Sequence, residues 1–178
     1  MDEQKIRELI RQMDTSKPRD AEAAWSQIPD IGEDIVPYLV EFYPTARKWQ
    51  GRVAAVYYSM KYAHMNEAAF QLGVAACSDK ATLVRCRACE LLACSLRNDA
   101  LPVLKKLLTH PDKRTTEDAA AAIDSIEHRN PNYFIDREHT GRIFLSVGGT
   151  AEDAIRNNKR AGVFSRIGHY VRTIFRKT

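Results

Sequence analysis

The residues with chemical potential in this chain are four cysteines, five histidines and a few acid–base neighbours. "CRAC", Cys86 to Cys89, has metal-ligand spacing, since two sulfurs on one helical turn can face one ion. A structural zinc site needs two further ligands at suitable spacing, and no second pair follows. The four cysteines fall between Cys77 and Cys94, three of them in one predicted helix, which makes a poor disulfide framework and suits a reducing compartment. They are read as small buried residues. His64, His110 and His128 end predicted helices, where a partly positive imidazole is favoured. His139 sits beside Asp136 and Glu138, so acid–base chemistry is conceivable there, but no nucleophile or phosphate loop accompanies it. The chain has no phosphate-binding glycine loop, GxSxG, HExxH or dinucleotide fingerprint. The expectation is a non-enzyme with no metal and no cofactor.

Composition points to one helix-rich globular unit. The 178 residues are 44% hydrophobic and 28% charged, with 8 glycines. The amphipathic start "MDEQKIRELIRQM" lacks a signal-peptide apolar region, and no apolar run approaches the roughly 20 residues that span a bilayer. A cytoplasmic protein with no transmembrane segment is expected. The formal net charge is +4, yet the seven basic residues from Arg156 onward have no acidic neighbour. Removing those seven from 27 leaves 20 basic against 23 acidic residues, so the body is mildly acidic and the tail basic.

Two prolines show how the elements are organised. "DIVPYLVEF" (Asp34–Phe42) and "DALPVLKKL" (Asp99–Leu107) have helical apolar spacing with a proline inside. The offset is 65 residues, and a middle copy, "EAAFQLGVA" (Glu67–Ala75), lies 33 after the first. A repeat near 33 places Pro37 and Pro102 in the first turn of equivalent helices, where the missing amide has no intrahelical acceptor. Asn98 is the expected cap of the later one. Between these helices lie Arg47–Ala63, Thr82–Leu96 and Thr115–His128, the last opening with a capping-box-like Thr115 and Asp118. Each unit therefore predicts helix, turn, helix, and such pairs bury their apolar faces by stacking.

The run Val84-Arg85, Ala88, Leu91-Leu92, Leu96, Asn98 to Pro102, Leu104, Leu107-Leu108, Pro111-Asp112 resembles the HEAT-repeat pattern. The resemblance implies an all-α, right-handed α-solenoid of about four HEAT-like helical hairpins, units 2–28, 31–64, 66–97 and 99–128, with the second helices lining a concave face. The third unit has Phe70 where proline would stand, and the fourth lacks the Val-Arg pair. Arg52 and Arg85, 33 apart, resemble the family's internal ladder, with Asp79 and Asp112, also 33 apart, as counterparts.

After His128 the period stops. Asn132–Val147 has two strand-like runs around "EHTG" and predicts a small C-terminal β-hairpin. A capping box at Thr150–Asp153 and a basic amphipathic helix over Arg160–Arg176 follow, the helix expected to pack on the solenoid end. Its basic face also suits an anionic membrane surface or phosphates.

Extended concave surfaces bind macromolecules. The candidate partner-binding residues are Tyr57, Lys61, Arg87, Glu90, Arg97, Asp124 and Glu127 on the second helices, with Arg137 in the hairpin. Small chains of this kind resemble bacterial immunity proteins that occlude a cognate toxin, so another protein is the expected partner. Nucleic acid is the rival, because some HEAT-like proteins are DNA glycosylases and Arg47, Lys48, Trp49 and Arg52 form a basic-aromatic cluster. An adaptor or lyase acting on a cofactor-bearing partner is a third reading.

Overall fold

The computed structural model describes residues 1–145 and 147. Among the described residues the chain is all-helical: eight α-helices, five 3-10 segments and no strand. The helices are α1 (Glu3–Gln12), α2 (Pro18–Trp25), α3 (Val36–Phe42), α4 (Trp49–Ser59), α5 (Glu67–Ala76), α6 (Thr82–Ser95), α7 (Leu101–Leu107) and α8 (Lys113–Glu127).

Local chemistry explains most of the starts. Asp2 accepts the Lys5 amide and Asn66 accepts the Ala69 amide, each satisfying an orphan donor at a helix N-terminus. Pro37 and Pro102 lie in the first turns of α3 and α7. Two expected caps differ. Asn98 opens a 3-10 turn, Asn98–Ala100, whose own cap position is Arg97. Asp112 caps α8 by accepting the Arg114 amide, and Thr115 is buried inside the helix with its hydroxyl donated back to Asp112. Thr115 and Asp118 therefore do not form the capping box that their spacing suggests.

The packing follows two rows. α1 packs on α3 and α3 on α5, while α2 packs on α4, α4 on α6 and α6 on α8; α3 also packs on α4, α5 on α6 and α7 on α8. One apolar cluster joins Ile6, Ile10, Met13, Leu39 and Phe42 beneath α1 to α4, and a second joins Val56, Met60, Phe70, Leu91, Leu92, Leu104 and Ile126 beneath α4 to α8. α5 and α6 approach closely at Gly73, where an added Cβ would lie 2.3 Å from Leu91 Cδ2.

Ion pairs, one buried and one partly buried, tie the second row to the turns that follow. Arg52 on α4 pairs with Asp79 before α6, and Arg85 on α6 pairs with Asp112 before α8. Each pair spans 27 residues, and the two pairs are 33 residues out of phase. The register continues to Asp118 on α8, which stands 33 residues after Arg85. There the charge is reversed: Asp118 accepts from Arg137 of the following segment.

No strand forms over residues 132–145, which corrects the expected β-hairpin. Local hydrogen bonds take the groups a ladder would need. Asn130 accepts the Asn132 amide at the start of a 3-10 turn, Pro131–Phe134. Asp136 accepts the Thr140 amide, the Thr140 hydroxyl and the Gly141 amide. The Leu145 amide donates to Asn132 Oδ1. His139 and Gly141, in the expected turn, have φ of 52° and 68°, but no strand pairing flanks them. The segment instead lies on α8 and α6, with Phe134 buried in the second apolar cluster. The expected capping box at Thr150–Asp153 and helix at Arg160–Arg176 lie outside the described residues.

Candidate functional site

Helical periodicity and the 33-residue register together define a row of side chains that reach the solvent. On α6 the row is Leu83, Arg87, Glu90 and Cys94, at i, i+4, i+7 and i+11, all partly buried. α6 has no fully exposed residue, and beyond its first residue, Thr82, these four are its whole solvent face. One register earlier the same positions are Gln50, Ala54, Tyr57 and Lys61. One register later they are Thr116, Ala120, Ile123 and Glu127.

Within this surface a continuous set of ring and charge contacts runs across three helices. Trp25 of α2 stacks on Tyr58 of α4, with centroids 3.6 Å apart. Tyr58 meets Tyr57 edge to face at 5.3 Å. The Arg87 guanidinium of α6 lies 5.2 Å from the centre of the Tyr57 ring and donates to the Glu90 carboxylate one turn on. Arg87 and Glu90 side chains are only 12% and 13% exposed, so this pair is held in one geometry. Burial pushes the Glu90 carboxyl up from its ordinary value; Arg87 opposes that shift and Asp118 adds to it. Burial likewise pushes up the phenols of Tyr57 and Tyr58.

Beside the Arg87–Glu90 pair is a small cavity of about 20 Å³, lined by Leu83, Cys86, Arg87, Glu90, Arg114, Asp118 and Phe134. Asp118 is 4% exposed. Its Oδ1 accepts from Arg137, while its Oδ2 has no hydrogen-bond partner.

The sequence-derived candidates separate into groups. Tyr57, Arg87 and Glu90 meet directly, and Arg137 joins them through Asp118 at the cavity. Asp124 holds the 129–145 segment on α8: its Oδ2 lies 2.6 Å from His139 Nε2 and its Oδ1 lies 2.9 Å from His128 Nδ1. The His139 ring also stacks on Tyr133 at 3.6 Å. Arg97 bonds Glu67 and Asp99 and covers the Phe70 ring at 3.8 Å, a clamp from the end of α6 to the starts of α5 and α7. Lys61 is 3.9 Å from Asp30, and Glu127 is exposed on α8.

Trp25, Tyr58 and the buried Asp118 belong to this site but not to the sequence-derived set. The register that relates Arg52 to Arg85 reaches Asp118 in one more step, so that signal was present. Nothing in the spacing marks the Trp25–Tyr58 stack, which depends on how α2 meets α4.

The remaining chemistry-bearing residues serve packing. Cys89 is fully buried, and burial raises the Cys86 thiol well above its usual range. Among the described residues no three His, Cys, Asp or Glu side chains are grouped to hold a metal ion. The Arg47 and Lys48 amides both donate to Asp14, and Trp49 packs against the core. No helix among the described residues is long and apolar enough to cross a membrane.

No known family model matches the chain, and no curated protein matches it.

Proposed function

We propose that this chain is a non-catalytic protein-binding module, a small cytoplasmic inhibitor of the immunity type that occludes a partner protein, and that its helix pairs stack as a right-handed HEAT-like solenoid. The carrying observation is the Trp25–Tyr58–Tyr57–Arg87–Glu90 set. Tryptophan, tyrosine and arginine dominate the energetics of protein interfaces, because they offer large rigid area with a polar handle. Here each is fixed by a neighbour, so little side-chain freedom remains to be lost on binding. The offset register of Arg52–Asp79 and Arg85–Asp112 supports the stacking, since each rung joins one helix pair to the next.

The test is a pull-down from native lysate with the tagged full chain, with and without nuclease, comparing wild type with Trp25→Ala and Arg87→Glu. The expected result is one protein at near-stoichiometric yield, insensitive to nuclease and lost with either variant. Recovery of nucleic acid, or of proteins that vanish with nuclease, overturns the proposal.

A further inference from the structure

We infer that Asp118 is the anchor for an arginine side chain of the partner protein, and that Arg137 holds its place in the free chain. This rests on the protein-binding reading above and adds the chemistry of the partner.

Three observations carry it. The first is the incomplete use of a buried carboxylate. Asp118 is 4% exposed, yet only Oδ1 is hydrogen-bonded. A buried carboxylate oxygen left without a donor is unfavourable. The Cys86 thiol lies against the same carboxylate and is a weak donor. The second is the geometry of the resident arginine. Arg137 donates one Nη2 bond to Asp118 and turns its Nε to the Phe134 carbonyl at 3.5 Å. The pair is therefore one-pronged, although guanidinium and carboxylate match best as a two-pronged fork. A guanidinium presented in the plane of Asp118 would satisfy both oxygens. The third is access. Arg137 is 45% exposed while Asp118 is 5% exposed at the side chain, so the arginine covers the acid from the solvent side.

Local charge is balanced, with Arg87 and Arg114 lining the cavity beside Glu90 and Asp118, so the open Asp118 oxygen and not a net negative field is what a guanidinium would gain. The remainder of the chain before Arg156 carries more acidic than basic residues. Arg87 lines the cavity and also contacts the Tyr57 ring, so it links this site to the aromatic row.

The experiment is calorimetric titration of the full chain with hexa-arginine and with hexalysine peptides. Arg137→Ala is expected to bind hexa-arginine roughly tenfold more tightly than wild type does, with little gain for hexalysine, because lysine offers a point charge rather than a fork. Adding Asp118→Asn to Arg137→Ala should abolish the gain. An equal gain for both peptides, or a gain that survives Asp118→Asn, overturns the inference. A second readout needs no variant: hexa-arginine should move the Arg137 Nε–H resonance of wild-type protein, and an unmoved resonance overturns the inference too. In the pull-down, a partner lost with Trp25→Ala but retained with Asp118→Asn overturns this inference while leaving the protein-binding proposal standing.

Discussion

Arg52 grips Asp79 with two prongs, Nε to Oδ2 at 2.6 Å and Nη2 to Oδ1 at 3.0 Å, across 27 residues of chain. The side chains are 10% and 6% exposed. Asp79 also accepts the Tyr43 hydroxyl and the Ala81 amide, so one carboxylate ties α4, the end of α3 and the start of α6 together. Burial alone would raise the Asp79 pKa, but these donors outweigh it and hold it below the ordinary carboxylate range. Removing one partner of such a pair strands a buried charge. Arg52→Ala is expected to destabilise the fold by about 3 kcal/mol, and Arg52→Met with Asp79→Asn, which keeps an acceptor for Tyr43 and Ala81, by clearly less. Urea denaturation of the three proteins checks this; equal losses would sink it.

The companion rung sets an acid limit. The Thr115 hydroxyl, then Thr82, Arg85 and the Arg114 amide, donate to Asp112 and outweigh desolvation, holding its carboxyl at about 2. An unfolded aspartate titrates near about 3.9. The folded value is depressed, so the stabilisation is fully present above about pH 4 and is lost as pH falls toward about 2. Asp112→Asn should lower the melting temperature at neutral pH, and its deficit should shrink across that window. A deficit that stays constant from pH 6 to about pH 2 would contradict the assignment.

Gly73→Ala tests the closest helix contact. The methyl would sit 2.3 Å from Leu91 Cδ2 and 3.2 Å from Leu92 Cδ2, and both leucines are fully buried. Alanine is the better helix former by about 1 kcal/mol, but forcing two packed leucines aside costs about 1–3 kcal/mol. A net loss of stability is expected by thermal melt. A more stable variant would show that the α5–α6 contact can relax.

Asp136 is the centre of the last loop. Asp136→Ala removes the acceptor of two amides and one hydroxyl. Hydrogen exchange at Thr140 and Gly141 should speed up, while exchange in α6 stays unchanged. Spreading of the effect into α6 would mean that the loop holds the core rather than resting on it.

The helical regions were legible because their signals are local and repeated. Pro37 and Pro102 announced first turns, and the Arg52–Arg85 and Asp79–Asp112 spacings announced pairs that form. Residues 132–145 misled because the Tyr133–Ile135 and Ile143–Leu145 runs on either side of Gly141 look like a hairpin, whereas Asp136 and Asn132 capture the amides locally. Candidate residues were legible only as far as one helix reveals its own face. Arg87 and Glu90 share a face of α6, but Trp25 joins them through Tyr58 and Tyr57, a contact between helices that no single-element pattern encodes. Arg97 looked free by the same reasoning and is spoken for by Glu67 and Asp99.

The reversed charge at Asp118 also governs how such a chain can grow. A copy of the helix pair at residues 66–97, inserted beside the original, would bring its own Asp79 and Arg85 equivalents and join the existing rungs. The same pair added after residue 128 would set its turn aspartate against Asp118, carboxylate to carboxylate, where Arg137 now stands. Among the described residues, this one change of sign thus closes the ladder of arginine–aspartate pairs on its C-terminal side.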